Sequence, residues 1–139
     1  MKTLVRARRA VPLLLLLLSS PAFAADPWTT ADTWRETAYL VVDAVDWLQT
    51  RNMARSNWTA RVYGDTWYQD HYISEVNPIM GKHPSVKRVD RFFALEMLTH
   101  FGFAYALPKD WRAGFQYVSI GVELGFVQHN RTMGISAKF

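Results

Sequence analysis

Residues 117–139 read YVSIGVELGFVQHNRTMGISAKF, and two folds compete for them. As the end of a helix from about Lys109 to Gln128, they place Arg112, Gln116, Ser119 and Glu123 on one polar stripe at helical spacing. As strands, YVSIGVELGFV and TMGISAKF alternate on either side of a QHNR turn and finish on Phe139, like the last hairpin of a small outer-membrane β-barrel. The upstream chain decides for the helix, because a small barrel needs about eight alternating segments and residues before Lys109 do not supply them.

Immediately upstream, VKRVDRFFALEMLTHFGFAYAL (86–107) reads as a second helix, with Ser85 as N-cap and Pro108 ending it. ALPKDW then makes a tight helical hairpin. Gly121 and Gly125 have the small-xxx-small spacing that lets helices approach closely, so close packing is expected there. Further back, TWRETAYLVVDAVDWLQTRNMAR predicts a helix over about 34–54, with Thr33 and Glu36 spaced as a capping box. Its apolar residues at 38, 41, 42, 45 and 48 follow one stripe, and Glu36, Asp43, Asp46 and Thr50 another. Between these helices, residues 56–80 crowd Trp58, Tyr63, Trp67, Tyr68 and Tyr72 into an irregular connector whose rings need helices or a lipid headgroup layer to lie on. The expected fold is mainly α, a three-helix bundle of helix, aromatic connector and helical hairpin with a short extended C-terminal tail. The β-barrel is the alternative.

The N-terminus carries Lys2, Arg6, Arg8 and Arg9, then VPLLLLLL, then SSPAFAAD, the three regions of a secretory signal peptide. Ala22 and Ala24 place cleavage after Ala24, leaving 25–139 as a single helical envelope domain. No cysteine is present, which excludes disulfides, a lipoprotein anchor and a cysteine nucleophile. The four basic leader residues account for the whole excess of Lys and Arg over Asp and Glu. A balanced remainder argues against nucleic acid as a partner.

Three segments approach transmembrane character, 37–50, 92–107 and 113–128, each shorter than the ~20 apolar residues a bilayer core asks for. In the first, Asp43 and Asp46 cost about 5–7 kcal/mol of insertion free energy against about 1.5–3 returned by Leu40, Val41, Val42, Val45 and Leu48. The hairpin helices carry one carboxylate each, Glu96 and Glu123, and Lys and Arg concentrate in 51–91, as a positive-inside orientation requires. Membrane lipid, and an envelope protein, are the expected partners. The expected location is the bacterial inner membrane or periplasm, with the outer membrane going with the barrel alternative.

The polar residues with chemical potential are Asp43, Asp46, Glu75, Asn77, His83, Glu96, His100, Glu123 and His129. Glu96 and His100 lie one helical turn apart and can reach one point, as ligands of a divalent metal or as a base with its orienting acid. An ordinary helix-stabilising pair has the same spacing. Asp43 and Asp46 can share a proton or a metal, or can belong to a solvated face. The segment EVNPIMGKHPS (75–85) is a rigid turn by its Pro, Gly and Asn chemistry, and one reading has it close Glu75 and His83 over the helix carboxylates. No Walker, G-x-S-x-G, H-E-x-x-H or dinucleotide pattern occurs.

The elements D-W-x-Q-T at 46–50, E-x-N-P-I-M-G-x-H-P-S at 75–85 and A-L-P-x-x-W-R-x-x-F-Q-Y-V-S-I-G-V-E at 106–123 resemble a group of small uncharacterised exported or membrane proteins of proteobacteria and their prophages. The resemblance covers most of the chain after the leader. It implies an envelope location and no activity. The expectation is a non-catalytic accessory or interaction protein of the envelope, with a metal-binding or acid/base enzyme as the alternative.

Overall fold

The computed structural model describes residues 26–63, 68–75 and 77–137, with side chains from 60 to 72 outside that description. Three helices, α1 (Thr30–Arg55), α2 (Val86–Ala106) and α3 (Lys109–Thr132), pack together, and a hairpin of β1 (Thr59–Tyr63) and β2 (Tyr68–Tyr72) follows α1. The bundle is the expected one, and the barrel is excluded because residues 109–132 form a continuous helix.

Helix α1 starts one turn earlier than Thr33 and Glu36 suggested. Thr29 is the N-cap, its Oγ1 accepting from Asp32 N at 3.2 Å while its own N–H donates to Asp32 Oδ2 at 2.8 Å. Thr29 and Asp32 have the same capping-box spacing, and Glu36 is engaged in the bundle interior. After α1 the chain turns through Asn57 and Trp58, both at positive φ (51° and 59°). A bulky residue there is strained, and Trp58 is held by burial of its ring and a 3.1 Å bond from Nε1 to Pro84 O.

The connector is more regular than expected. Thr59–Tyr63 and Tyr68–Tyr72 pair antiparallel, Thr59 opposite Tyr72 and Tyr63 opposite Tyr68, and Ile73 N extends the ladder to Trp58 O at 2.9 Å. Thr, Val and Tyr favour strands; the crowding of aromatics hid that alternation. How the rings of Tyr63, Trp67, Tyr68 and Tyr72 lie falls outside the described side chains.

The stretch 75–85 is a built turn. Glu75 N donates to Lys82 O at 2.8 Å, Glu75 Oε1 accepts from Asn77 N at 2.9 Å, and Asn77 Oδ1 accepts from Ile79 N at 2.9 Å. Gly81 takes the positive φ (79°) that closes it, and Ser85 caps α2 by accepting from Arg88 N. Pro108 gives α3 no side-chain cap, and Asp26 supplies one from outside: its Oδ2 accepts from Lys109 N at 2.7 Å, a carboxylate at the positive end of a helix.

The extended tail begins later than expected, because α3 runs on to Thr132. Gly134 (φ 75°) ends it, with Gly134 N bonded to Arg131 O at 3.0 Å and Ile135 N to Asn130 O at 2.9 Å. That is a Schellman cap. The alternation in RTMGISAKF therefore reflects a helix end followed by a tail whose Ile135 packs on Met53 and Trp58; Lys138 and Phe139 lie outside the described residues.

Helix α1 packs against both others, whereas α2 and α3 have little contact with each other. On α1 the buried side chains Asp32, Glu36, Tyr39, Asp43, Asp46, Thr50 and Met53 recur in alternating steps of four and three, the spacing of a bundle seam. That seam is mostly polar. Among the described residues, ten polar or charged side chains are buried against eight hydrophobic ones, so the bundle is inverted relative to an ordinary soluble core. The apolar stripe of α1 instead has Ala38 and Val41 exposed and Val42, Val45 and Leu48 half-buried. Among the described residues, buried hydrophobic side chains cluster at two places near the connector, Met53–Trp58–Ile135 and Met80–Val89–Phe93.

The transmembrane character that segments 37–50, 92–107 and 113–128 approach is not reached, and the close packing expected at Gly121 and Gly125 is corrected. Among the described residues, no helix is long and apolar enough to cross a membrane; the polar seam lowers each helix's hydropathy. Gly121 and Gly125 make no close helix contact: both are exposed, and a Cβ at either would meet nothing within 4 Å. Gly121→Leu is therefore expected to leave thermal stability unchanged or raise it by about 1 kcal/mol through helix propensity. A large drop in melting temperature would show that the glycine is packed after all.

Candidate functional site

The polar seam forms successive layers along the bundle. The first is centred on Arg112, fully buried on α3, whose donors all find acceptors: Nε on Ala104 O (2.9 Å), Nη1 on Asp32 Oδ2 (3.1 Å) and Pro27 O (3.3 Å), and Nη2 on Asp26 O (2.9 Å) and Leu107 O (3.0 Å). Its guanidinium carbon also lies 5.2 Å from the centroid of the Trp28 ring. Asp32 is shared by Arg112 and Arg35. Burial alone would raise its pKa, but hydrogen bonds from Thr29, Arg112 and Arg35 together hold it at about 2.

In the second layer, Glu36 Oε1 lies 3.0 Å from His100 Nδ1, and Glu36 Oε2 accepts from Gln116 Nε2 at 3.0 Å. Gln116 also donates to Asp32 O at 3.1 Å and accepts from Arg35 Nε at 2.9 Å. The His100 ring is clamped between Tyr39, centroids 3.5 Å apart, and Phe115 at 4.6 Å. The other ring nitrogen, Nε2, is buried with no partner among the described residues.

Among the described residues, the third and fourth layers hold carboxylates without a cationic side chain paired to them. Asp43 is completely buried, and neither oxygen has a hydrogen-bond partner among the described residues. Desolvation, then the charges of Glu96 and Asp46, pushes its pKa up to about 7. Asp46 also rises to about 7, by desolvation and then repulsion from Glu75 and Glu96, opposed by a 2.6 Å bond from Asn130 Nδ2. Glu123 reaches about 8, through desolvation and then Asp43, Asp46 and Glu96. Burial also raises Glu96. Gln49 Oε1 accepts a second bond from Asn130 Nδ2 at 3.2 Å.

The carboxylate faces of the three helices thus converge, and Asp43 and Asp46 belong to the interior and not to a solvated face. Glu75 and Asn77 join them: with Asp46, Glu96 and Glu123 they line a cavity of about 360 Å³. His83 does not close over it. It is exposed, with its ring against Trp58 and its Nε2 3.4 Å from Ser74 Oγ. His129 is exposed in the last turn of α3. Glu96 and His100 line one groove of about 470 Å³ between α2 and α3, but the ring nitrogen of His100 that finds a partner takes Glu36. Among the described residues, no three His, Asp or Glu side chains are gathered to hold a metal ion.

Sequence reasoning passed over Asp32, Arg35, Tyr39, Gln49 and Asn130 as interior groups. Of these, Asp32 and Tyr39 fall on the heptad-like recurrence along α1, which was the available signal. Hydrogen bonds between α1 and α3 span about eighty residues (Arg35 to Gln116, 81; Asn130 to Gln49, 81), and no local pattern reveals them. No protein-family model, curated protein or solved structure matches this chain.

Proposed function

We propose that this is a membrane-associated accessory protein of the bacterial envelope that acts without catalysis and uses the outer face of α2 and α3 to bind lipid. The observation that carries the reading is the inversion of polarity. Among the described residues fourteen large hydrophobic side chains are exposed, including Leu98 and Trp111 at 71% and 73%. No exposed residue is charged from Ala94 to Tyr105 or from Trp111 to Phe126. Soluble monomers rarely present a contiguous apolar surface beyond a few hundred Å².

Lipid suits this face for two further reasons. Lys87, Arg88 and Arg91 at the start of α2 and Arg131 at the end of α3 are exposed at the same end of the antiparallel pair, where anionic headgroups complement them. Tyr105 and Trp111 stand exposed at the other end, and amphipathic rings favour the lipid–water interface. The leader-like sequence at 1–24, outside the described residues, supports export to the envelope.

Sedimentation of envelopes in low-salt buffer at pH 6, where the fold keeps most of its stability, tests this. The protein is expected in the membrane pellet, and Leu98→Glu combined with Val118→Glu is expected to move it to the supernatant, since both side chains are exposed (71% and 67%) and their replacement leaves the interior intact. Quantitative release of the wild type would overturn the proposal.

A further inference from the structure

We propose that the cavity between the 75–80 turn, α1, α2 and α3 binds an organic polyamine. Four carboxylates line it, Asp46, Glu75, Glu96 and Glu123, and no Lys or Arg among the described residues does. A cluster of acids alone is weak support, since acids also gather on solvated faces. Two observations set this one apart. Glu123 is 7% exposed, faces the cavity, and has no hydrogen-bond partner among the described residues. Asp43, close enough to Glu96, Asp46 and Glu123 to be coupled to them electrostatically, is 0% exposed with both oxygens unpartnered. Buried carboxylates left this way are costly unless a donor reaches them.

The geometry chooses the class of donor. The carboxylates come from four separate segments and are not gathered as a metal site requires. Spread around about 360 Å³, a volume in the range of small-molecule sites, they match a ligand with several cationic centres separated by short carbon chains. Beside Asn77, whose Oδ1 accepts from Ile79 N, the rest of the wall is Phe92, Phe93, Phe126, Met80 and Pro78. They suit methylene segments and the faces of ammonium groups and offer nothing to a hydrated inorganic ion.

Binding of such a cation is linked to protons. The groups facing Glu123 are Asp43 and Asp46 from α1 and Glu96 from α2; those facing Asp46 are Glu75 from the turn, Glu96, and the Asn130 amide from α3. His100 shares the adjoining groove with Glu96 and Glu123. Burial and mutual repulsion raise Asp43, Asp46 and Glu123 above the ordinary carboxylate range, and burial raises Glu96; an ammonium ligand favours their ionised forms. Complex formation therefore releases protons, and affinity rises with pH.

The test is titration calorimetry of the full-length protein in zwitterionic detergent with spermidine, repeated in two buffers of different ionisation enthalpy. It does not depend on the lipid proposal. Expected are saturable binding, release of about one to two protons between pH 6.5 and 7.5, affinity rising up to about tenfold per pH unit for each proton released, and a loss of about 10- to 100-fold in Glu123→Gln. Glu75→Gln, outside the helices, is a second variant expected to weaken binding. Absence of saturable heat with folded wild-type protein from pH 6 to 8.5 overturns the proposal. So does unchanged affinity in both variants, which indicates surface attraction, or saturable binding of Mg²⁺ in preference to spermidine.

Discussion

Arg112→Met is expected to lower stability by about 3–5 kcal/mol, enough to unfold much of a marginally stable domain at room temperature. The guanidinium is completely buried and joins four parts of the chain: Asp26 and Pro27 before α1, Asp32 in its first turn, Ala104 and Leu107 at the end of α2, and its own helix. Methionine fills comparable volume but leaves Asp32, at 1% exposure, with only Arg35 to balance its charge. The second substitution Asp32→Asn separates the causes. If the stranded carboxylate dominates, the double variant regains stability relative to Arg112→Met; if the lost backbone acceptors dominate, it regains little. Thermal and urea melts by circular dichroism measure both, and an Arg112→Met variant as stable as wild type would remove this residue as the centre of the fold.

Stability is expected to fall as pH rises from about 5 to 8, the reverse of what carboxylates in ion pairs produce. Asp43, Asp46 and Glu123 have folded-state pKa values raised to about 7, 7 and 8, above their unfolded values near 4. Each contribution is fully present below about pH 4 and is lost as pH climbs to the folded value, by up to about 1.4 kcal/mol per unit per group. Asp32 acts oppositely. Its folded value of about 2 gives stability that is present above about pH 4 and lost as pH falls toward 2. The optimum therefore lies near pH 4 to 5. Asp43→Asn, which removes the most deeply buried of these acids, is expected to be close to neutral at pH 4 and to stabilise by up to about 4 kcal/mol at pH 8. Equal effects at both pH values would mean that Asp43 is charged in the folded protein throughout.

Turn and cap chemistry was legible because it is local. Ser85 as a cap, Pro108 as a stop and Gly81 at positive φ each follow from what one residue's backbone permits, and the structure has all three. Where two local solutions were available, the choice lay elsewhere. Thr29–Asp32 won the cap over Thr33–Glu36 because Glu36 is drawn to His100 and Gln116. The hairpin at 59–72 was missed because its strand residues are also its aromatics.

By itself the sequence determined three amphipathic helices, their order, and which residues share a stripe with Asp43, Glu96 and Glu123. It could not determine which stripe faces inward. Helical periodicity divides a helix into two faces and is indifferent to which of them meets the neighbouring helices. Only the tertiary structure turned the polar faces of α1 and α3 together. Their partners are side chains about eighty residues apart, such as Gln116 for Arg35 and Asn130 for Gln49. Those bonds satisfy the buried polar groups that they reach and, among the described residues, leave both oxygens of Asp43 without partners.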